Sequence, residues 1–119
     1  MEKLVKLGIL FDFYGKLLSQ KQYDIVELYY MDDLSLAEIA QELEVSRQAI
    51  FDTLKRAEEK LNNYEENLKL VEKFYKSQES IVKIKAVAEE IKSIGTSISN
   101  DSVVEKAKEI EDLVSGILL

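Results

Sequence analysis

The chain contains no proline and only four glycines among its 119 residues. Proline and glycine interrupt helices most strongly, whereas leucine, isoleucine, glutamate, lysine and alanine, which dominate this sequence, permit or favour them. A chain with so few interruptions is expected to be all-α. At this length it can form one domain with a modest core and leave enough residues for an appended arm.

The sequence also lacks cysteine and histidine. Without them the chain has no thiolate or imidazole to ligate a metal, no cysteine nucleophile and no histidine general base. These groups carry most of the common catalytic constellations. We therefore expect a protein that is not an enzyme and that uses no cofactor and no metal.

Hydropathy and charge limit where the protein can reside and which partners it can bind. The first ten residues include Glu2, Lys3 and Lys6, and no run of about 18 apolar residues occurs anywhere in the chain. We therefore expect a soluble, cytoplasmic protein without membrane insertion. The formal net charge is −7 and is spread evenly along the sequence. Because DNA-binding proteins usually concentrate positive charge on one face, this balance argues against simple DNA binding.

Apolar residues at steps of three and four predict that the first helix covers residues 2–18. Ser19 followed by Gln22 fits a capping box, in which the hydroxyl accepts from one free amide and the carboxamide accepts from another. This box predicts a second helix that runs to about Met31.

The next two helices have the spacing of a helix-turn-helix motif. Ser35 with Glu38 forms another capping box, which opens a short helix, and after a turn Ser46 can cap a longer one. Glu44 occupies the turn position that usually requires a positive φ and therefore favours glycine. The longer helix is marked by apolar residues at steps of four, three and four, namely Ile50, Leu54, Ala57 and Leu61.

The polar face of this longer helix contains the candidate nucleic-acid contacts. Residues near the N-terminus of such a helix meet base edges and phosphates in a DNA groove. Asp52 lies in the middle of that face, where phosphates would repel it unless it pairs with a neighbouring cation or accepts a hydrogen bond from cytosine. Two interpretations therefore stay open: the helix reads DNA, or the motif is a packing unit whose polar face is solvated. The predicted nucleic-acid-binding residues are Ser46, Arg47, Gln48, Lys55 and Arg56.

Beyond the motif, an apolar stripe with heptad-like spacing continues into a C-terminal arm. We expect it to form a homodimer contact, although packing of the arm against its own domain would satisfy the same pattern. The arm helix either breaks near residues 77–80 or turns there to meet another surface. Phe51, on the flank of the preceding helix, is expected to pack against the arm or a partner. The predicted partner or dimer contacts are Phe51, Tyr64, Leu68, Val71 and Tyr75.

A Ser-, Gly- and Asn-rich stretch over residues 95–100 predicts a loop near the end of the arm. Ser102 with Glu105 then opens a last short helix that folds back on the arm. The expected organisation is a helix-turn-helix domain over residues 1–61 and a C-terminal helical arm over residues 62–119, which dimerises or packs back.

Two families share recognisable stretches with this chain. The run "LLSQKQYDIVELYYMDDLSLAEIAQELEVSRQAIFDTLKRAEEKL" resembles the DNA-recognition region four of bacterial sigma factors. The stretches "FDFYGKLLS", "LYYMDDLSLAEIA" and "EVSRQAIFD" resemble more closely the small YlxM-like DNA-binding proteins of Gram-positive bacteria. The resemblance covers residues 1 to about 80 and implies a sigma region four-like helix-turn-helix bundle. The arm from Asn62 onward has no sigma counterpart.

The resemblance also implies a function. Ser46, Arg47 and Gln48 match positions of the sigma recognition helix that are able to touch DNA, whereas Phe51 and Asp52 replace polar or basic residues there. For the YlxM-like family, gene neighbourhood implies a regulatory part in the signal recognition particle pathway, with DNA and the particle's protein or RNA as candidate partners. The alternative is a protein-interaction module that docks the particle's GTPase or RNA without reading DNA.

Overall fold

The computed structural model describes residues 3–117, which form six α-helices and no strand. The predicted all-α class is therefore confirmed. A 3-10 turn, Gly15–Leu17, follows the first helix, and a π-helical turn, Glu27–Met31, extends the second. The helices are α1 (Lys3–Tyr14), α2 (Gln20–Val26), α3 (Leu36–Leu43), α4 (Arg47–Leu68), α5 (Leu70–Ser97) and α6 (Asp101–Ser115).

The chain divides into two compact units between Val71 and Glu72. The N-terminal unit contains α1 to α4 and the first two residues of α5, and the C-terminal unit contains the rest of α5 and α6. The boundary expected after Leu61 falls inside α4, because nothing interrupts this helix before Leu68.

The core of the N-terminal unit forms where α1, α2 and α3 pack around α4 between Ile50 and Leu61. The four apolar residues that marked this helix in the sequence, Ile50, Leu54, Ala57 and Leu61, are all buried in it. Burial of such side chains, each worth about 1.5–3 kcal/mol for the larger aliphatic ones, holds the motif together. The other buried members are Leu7, Leu10, Phe11, Tyr14, Leu18, Ile25, Val26, Ile39 and Ala40.

The first helix is shorter than its apolar spacing predicts. It ends at Tyr14, and the chain tightens into a 3-10 turn before Leu18 becomes extended. Gly15 allows this, because a Cβ at that position would lie 3.0 Å from the ring of Phe11. The extended Leu18 places Ser19 as the cap of α2, which is why the helical pattern cannot continue through residue 18.

Both capping boxes are confirmed. The hydroxyl of Ser19 accepts from the Gln22 amide at 3.2 Å, and the Gln22 side chain accepts from the Ser19 amide at 3.1 Å. Ser35 and Glu38 make the same reciprocal pair, with both bonds at 3.1 Å. These bonds satisfy amides that have no partner inside the helix, so they fix the starts of α2 and α3.

The long C-terminal helix breaks at Lys69 and not near residues 77–80. Lys69 adopts a left-handed conformation with φ 55° and ψ 32°, which separates α4 from α5. The break is supported from the N-terminal unit: the Leu70 amide donates to the Tyr14 hydroxyl and the Val71 amide donates to Glu65 Oε1, each at 3.0 Å. These side chains cap the new helix, a tertiary arrangement that no local spacing encodes.

The C-terminal unit is an antiparallel hairpin of α5 and α6, which confirms the expected fold-back of the last helix. Gly95, expected in a loop, lies inside α5 and faces α6, where a Cβ would come within 2.9 Å of Val103 Cγ1. The last helix begins at Asp101 under an Asn100 cap and not with the Ser102 and Glu105 pair, because the Asn100 side chain reaches the Val103 amide at 3.2 Å. Lys92 and Glu111 join the two helices through an ion pair at 2.9 Å.

Candidate nucleic-acid interface

The turn between α3 and α4 has the geometry of a helix-turn-helix motif. Glu44 is left-handed, with φ 56° and ψ 43°, as its position predicted. The Val45 amide donates to the Ala40 carbonyl at 3.0 Å, and the Glu44 amide reaches the Gln41 carbonyl at 3.3 Å. This Schellman-type closure ends α3 and redirects the chain into the next helix.

Ser46 caps α4 as predicted. Its hydroxyl accepts from the Ala49 amide at 3.1 Å, so the helix begins at Arg47. The remaining amides of the first turn form the positive end of the helix dipole, and Ser46 to Gln48 are exposed there. An anion such as a phosphate is the natural ligand of such a terminus when cations lie beside it.

The structure places all five predicted nucleic-acid contacts on the surface of the first three turns of α4. Ser46, Arg47, Gln48, Lys55 and Arg56 are all exposed. Among residues 3–117, none of the three cations of this set forms an ion pair. Their charges are therefore available to an external anion.

The side chain of Gln48 is already hydrogen-bonded within α4. Its side-chain amide donates to Asp52 Oδ1 at 2.9 Å, one helical turn away. Asp52 is therefore held by Gln48, whereas the sequence had raised pairing with Lys55 or Arg56 as one way to offset its repulsion from phosphates. A base that Gln48 reads must break or share the bond, so Asp52 attenuates this contact.

The polar face is electrically balanced. Its exposed carboxylates, Glu44, Asp52 and Glu59, match in number its exposed cations, Arg47, Lys55 and Arg56. Non-specific attraction to the DNA backbone depends on an excess of positive charge, so this face offers little of it. Recognition would instead depend on where individual charges and hydrogen-bonding groups lie.

An apolar groove runs beside this face, a feature that the spacing of residues along the sequence does not reveal. Phe51 is 49% exposed and lines a cavity of about 360 Å³ together with Leu4, Tyr29, Leu36 and Leu54. The groove arises because three separate segments meet at α4. The exposed Leu4 and Phe51 were visible as apolar residues, but their proximity depends on the tertiary fold.

The polar edge of the groove is a hydrogen-bonded cluster. The Tyr30 hydroxyl donates to Glu58 Oε1, and Lys3 Nζ lies 3.5 Å from Glu58 Oε2. Burial and the neighbouring Glu58 carboxylate raise the pKa of Tyr30, so its hydroxyl stays a donor at neutral pH. This cluster anchors the π-helical turn and the start of α1 to α4.

The predicted dimer seam is divided by the break at Lys69. The Tyr64 hydroxyl donates to the Leu17 carbonyl at 3.2 Å, and its ring lies 5.8 Å from that of Tyr14. Val71 also packs against the N-terminal core. Tyr64 and Val71 therefore pack against the domain of their own chain, which was the alternative to a dimer contact. Leu68 and Tyr75 remain exposed. Their part in a dimer stays a prediction.

The described residues 3–117 hold no group of three or more acidic, histidine or cysteine side chains arranged to bind a metal. Within the same range, none of the helices combines the length and the apolarity that crossing a bilayer requires.

Comparison with known proteins assigns this architecture to a family. Residues 1–101 match the model of the UPF0122 family, described as "Putative helix-turn-helix protein, YlxM / p13 like". A UPF0122 protein of Bacillus cereus (strain AH187) is 43% identical over 113 residues, which cover 95% of this chain and 98% of the relative. UPF0122 proteins of Bacillus anthracis (strain A0248) and Bacillus thuringiensis subsp. konkukian (strain 97-27) match with the same identity and coverage.

Proposed function

Because the chain belongs to the UPF0122 family of YlxM/p13-like helix-turn-helix proteins, we propose that it is a regulatory protein that binds duplex DNA through the first three turns of α4. The observation that carries this proposal is the exposure of Arg47, Lys55 and Arg56 on one helix without an ion pair among residues 3–117. The protein acts by binding and not by catalysis, in the cytoplasm.

The proposed roles follow from side-chain chemistry. Arg47 and the Ser46 hydroxyl sit at the helix N-terminus, where phosphate oxygens bind most favourably. Lys55 and Arg56 lie two turns further along and reach guanine or a second phosphate. Gln48 reads adenine after releasing Asp52. The net charge of −7 suppresses non-specific binding and leaves discrimination to these few groups.

The test is fluorescence anisotropy with labelled duplex DNA between about 50 and 200 mM salt. Arg47→Ala and Lys55→Ala are each expected to weaken binding and to reduce the slope of log K against log salt by about one, as expected for one lost phosphate contact. Lys108→Ala is the matched control, because Lys108 is an exposed lysine of the C-terminal unit. Equal losses in all three variants, or no binding at the lowest salt, would overturn the proposal.

We further propose that the protein takes part in the signal recognition particle pathway, as the family resemblance implies. A second candidate function, docking of the particle's GTPase or RNA without DNA reading, is favoured by the exposed Phe51 in its apolar groove. Phe51→Ala should then abolish binding to the purified GTPase and leave DNA binding unchanged. Val82→Ala, which truncates an exposed apolar side chain outside the predicted contacts, is the control. Loss of DNA binding alone would exclude the docking function.

A further inference from the structure

The exposed side of the α5–α6 hairpin carries a continuous apolar stripe. On α5, isoleucine or valine recurs at steps of three, four, three and four, as in the a and d positions of a coiled coil. The last member lies just beyond Ser97, but its amide still donates to the Ile94 carbonyl at 3.1 Å, so it continues the helical turn. The stripe consists of Ile84, Val87, Ile91, Ile94 and Ile98.

A second stripe on α6 faces the same way. Ile110, Leu113 and Ile117 follow one another at steps of three and four; Ile117 lies just beyond Ser115, where its amide donates to the Val114 carbonyl at 3.0 Å. Ile110 lines an apolar hollow of about 240 Å³ together with Ile84, Val87 and Ile91 of α5. The stripes of the two helices therefore border one another and form a single surface, which we call the hairpin face.

The packing of α5 and α6 does not bury the hairpin face. The buried residues of the two helices are Ile81, Ala88 and Gly95 on α5 and Ala107 and Val114 on α6, so three of the five are small. At Gly95 the approach is close, because a Cβ there would come within 2.9 Å of Val103 Cγ1. The stripe residues are not among these buried side chains. A two-helix layer with such a stripe has to bury it against another layer.

We propose that the hairpin face binds the hairpin face of a second copy of this chain, so that two α5–α6 hairpins close into a four-helix bundle. Six residues of the face, Ile84, Val87, Ile94, Ile98, Leu113 and Ile117, are 46% to 66% exposed. Each of these side chains offers on the order of 100 Å² of apolar surface. Two copies would together bury roughly 1,200 Å², above the roughly 1,000 Å² that a specific interface requires.

The charges beside the face fit a second copy. Lys83 and Glu90 occupy the positions that directly precede stripe residues on α5, and Lys106 and Glu109, joined by an ion pair at 3.3 Å, flank the stripe on α6. Each helix thus contributes one positive and one negative charge to the border. Two identical borders of mixed sign do not repel each other, although the whole chain carries a net charge of −7.

The test is sedimentation equilibrium of the full-length protein without nucleic acid, which keeps its result separate from that of the DNA-binding proposal. The unmodified protein is expected to show twice the chain mass. Ile94→Glu and Leu113→Glu should each raise the dimer dissociation constant by at least about tenfold. Val82→Glu is the matched control: Val82 and Ile94 are both 60% exposed on α5, but Val82 lies on the opposite side of the helix from the stripe. Circular dichroism verifies that each variant retains its helix content.

A second measurement identifies what covers the face. Because the chain has no cysteine, Ile94→Cys and Val82→Cys each introduce a single thiol, whose maleimide labelling rate reports its exposure. Concentration-dependent protection at position 94 and free labelling at position 82 are expected. A monomer labelled freely at position 94 would overturn the proposal, and so would a monomer protected there, because the chain itself would then cover the face. A dimer unaffected by Ile94→Glu and Leu113→Glu would assign the contact to another surface.

Discussion

The hydroxyl of Tyr14 donates a hydrogen bond to Glu65 Oε1 at 2.5 Å, and the same hydroxyl and carboxylate accept the first two amides of α5. Tyr14 lies in α1 and is fully buried, whereas Glu65 lies in the last turns of α4. Burial and the Glu65 carboxylate raise the pKa of Tyr14, which keeps its hydroxyl protonated as a donor. The break after α4 is therefore held by a residue more than 50 positions earlier.

Replacing Tyr14 by phenylalanine should remove this support. The variant removes the hydrogen bond from the Tyr14 hydroxyl to Glu65 Oε1 and leaves the Leu70 amide without its acceptor, so the free energy of unfolding should fall by about 1–3 kcal/mol. Urea denaturation followed by circular dichroism measures the change. Tyr75→Phe is the control, since Tyr75 is 47% exposed and its variant should be within about 0.5 kcal/mol of the parent. Equal stability of both variants would show that the cluster contributes nothing.

Replacing Glu44 by glycine should stabilise the helix-turn-helix. Glycine adopts the positive φ of this position without the steric penalty that a side chain incurs, and we expect a gain of about 0.5–1 kcal/mol. Glu42→Gly, two residues earlier inside α3, should instead lose about 1 kcal/mol. Thermal unfolding of both variants measures these changes. A loss of stability in Glu44→Gly would contradict the expected relief of backbone strain.

Gly95→Ala should destabilise the C-terminal hairpin. Its Cβ would meet Val103 Cγ1 at 2.9 Å, and we expect the resulting overpacking to cost about 1–3 kcal/mol. The second change Val103→Ala should restore part of the loss, because it removes the clashing methyl groups. Gly116→Ala, where the nearest atom lies at 3.5 Å, serves as the control in calorimetry. If Gly95→Ala were as stable as the parent, α6 would be able to move away from the added methyl group without loss of stability.

The contribution of Glu38 to stability should depend on pH. Hydrogen bonds from the backbone and side chain of Ser35 lower the pKa of the Glu38 carboxyl in the folded state. A lowered folded pKa means that the ionised cap stabilises the protein above the ordinary value of 4.5 and loses this effect as the pH falls through the folded value. Glu38→Ala should therefore be less stable than the parent at pH 7, and the difference should shrink in acid. A stability difference between Glu38→Ala and the parent that grows as the pH falls would contradict this prediction.

Asp52→Asn should strengthen DNA binding several-fold if α4 enters a groove. The change removes one repelled carboxylate while retaining an acceptor for the Gln48 amide. The control is Asp24→Asn, because Asp24 accepts from Gln20 at 2.8 Å in the same one-turn geometry on α2. Anisotropy titrations at a single salt concentration compare the three proteins. The same gain from both substitutions would indicate a general charge effect and not a contact of α4.

The parts of the fold that the sequence predicted are those with a local cause. Ser19 with Gln22, Ser35 with Glu38, and Ser46 each form their capping bonds within a few residues of chain, and the left-handed Glu44 follows from its place in the turn. The predicted site residues are likewise exposed because they lie opposite an apolar stripe on one helix.

The parts that were wrong or missed depend on distant partners. The break at Lys69 requires Tyr14, and the inclusion of Gly95 in α5 requires the approach of α6. The groove around Phe51 requires α1 and the π-helical turn to meet α4, which no periodicity within one segment reveals.

The close approach at Gly95 also bears on folding kinetics. Its partner Val103 lies only a short turn away along the chain, so the contact that fixes the hairpin closes a small loop at little entropic cost. Contacts of such low sequence separation are made early and quickly. The chain also has no proline, so no prolyl isomerisation can delay them. The C-terminal hairpin should therefore assemble in a single fast phase and be in place before slower, long-range contacts form.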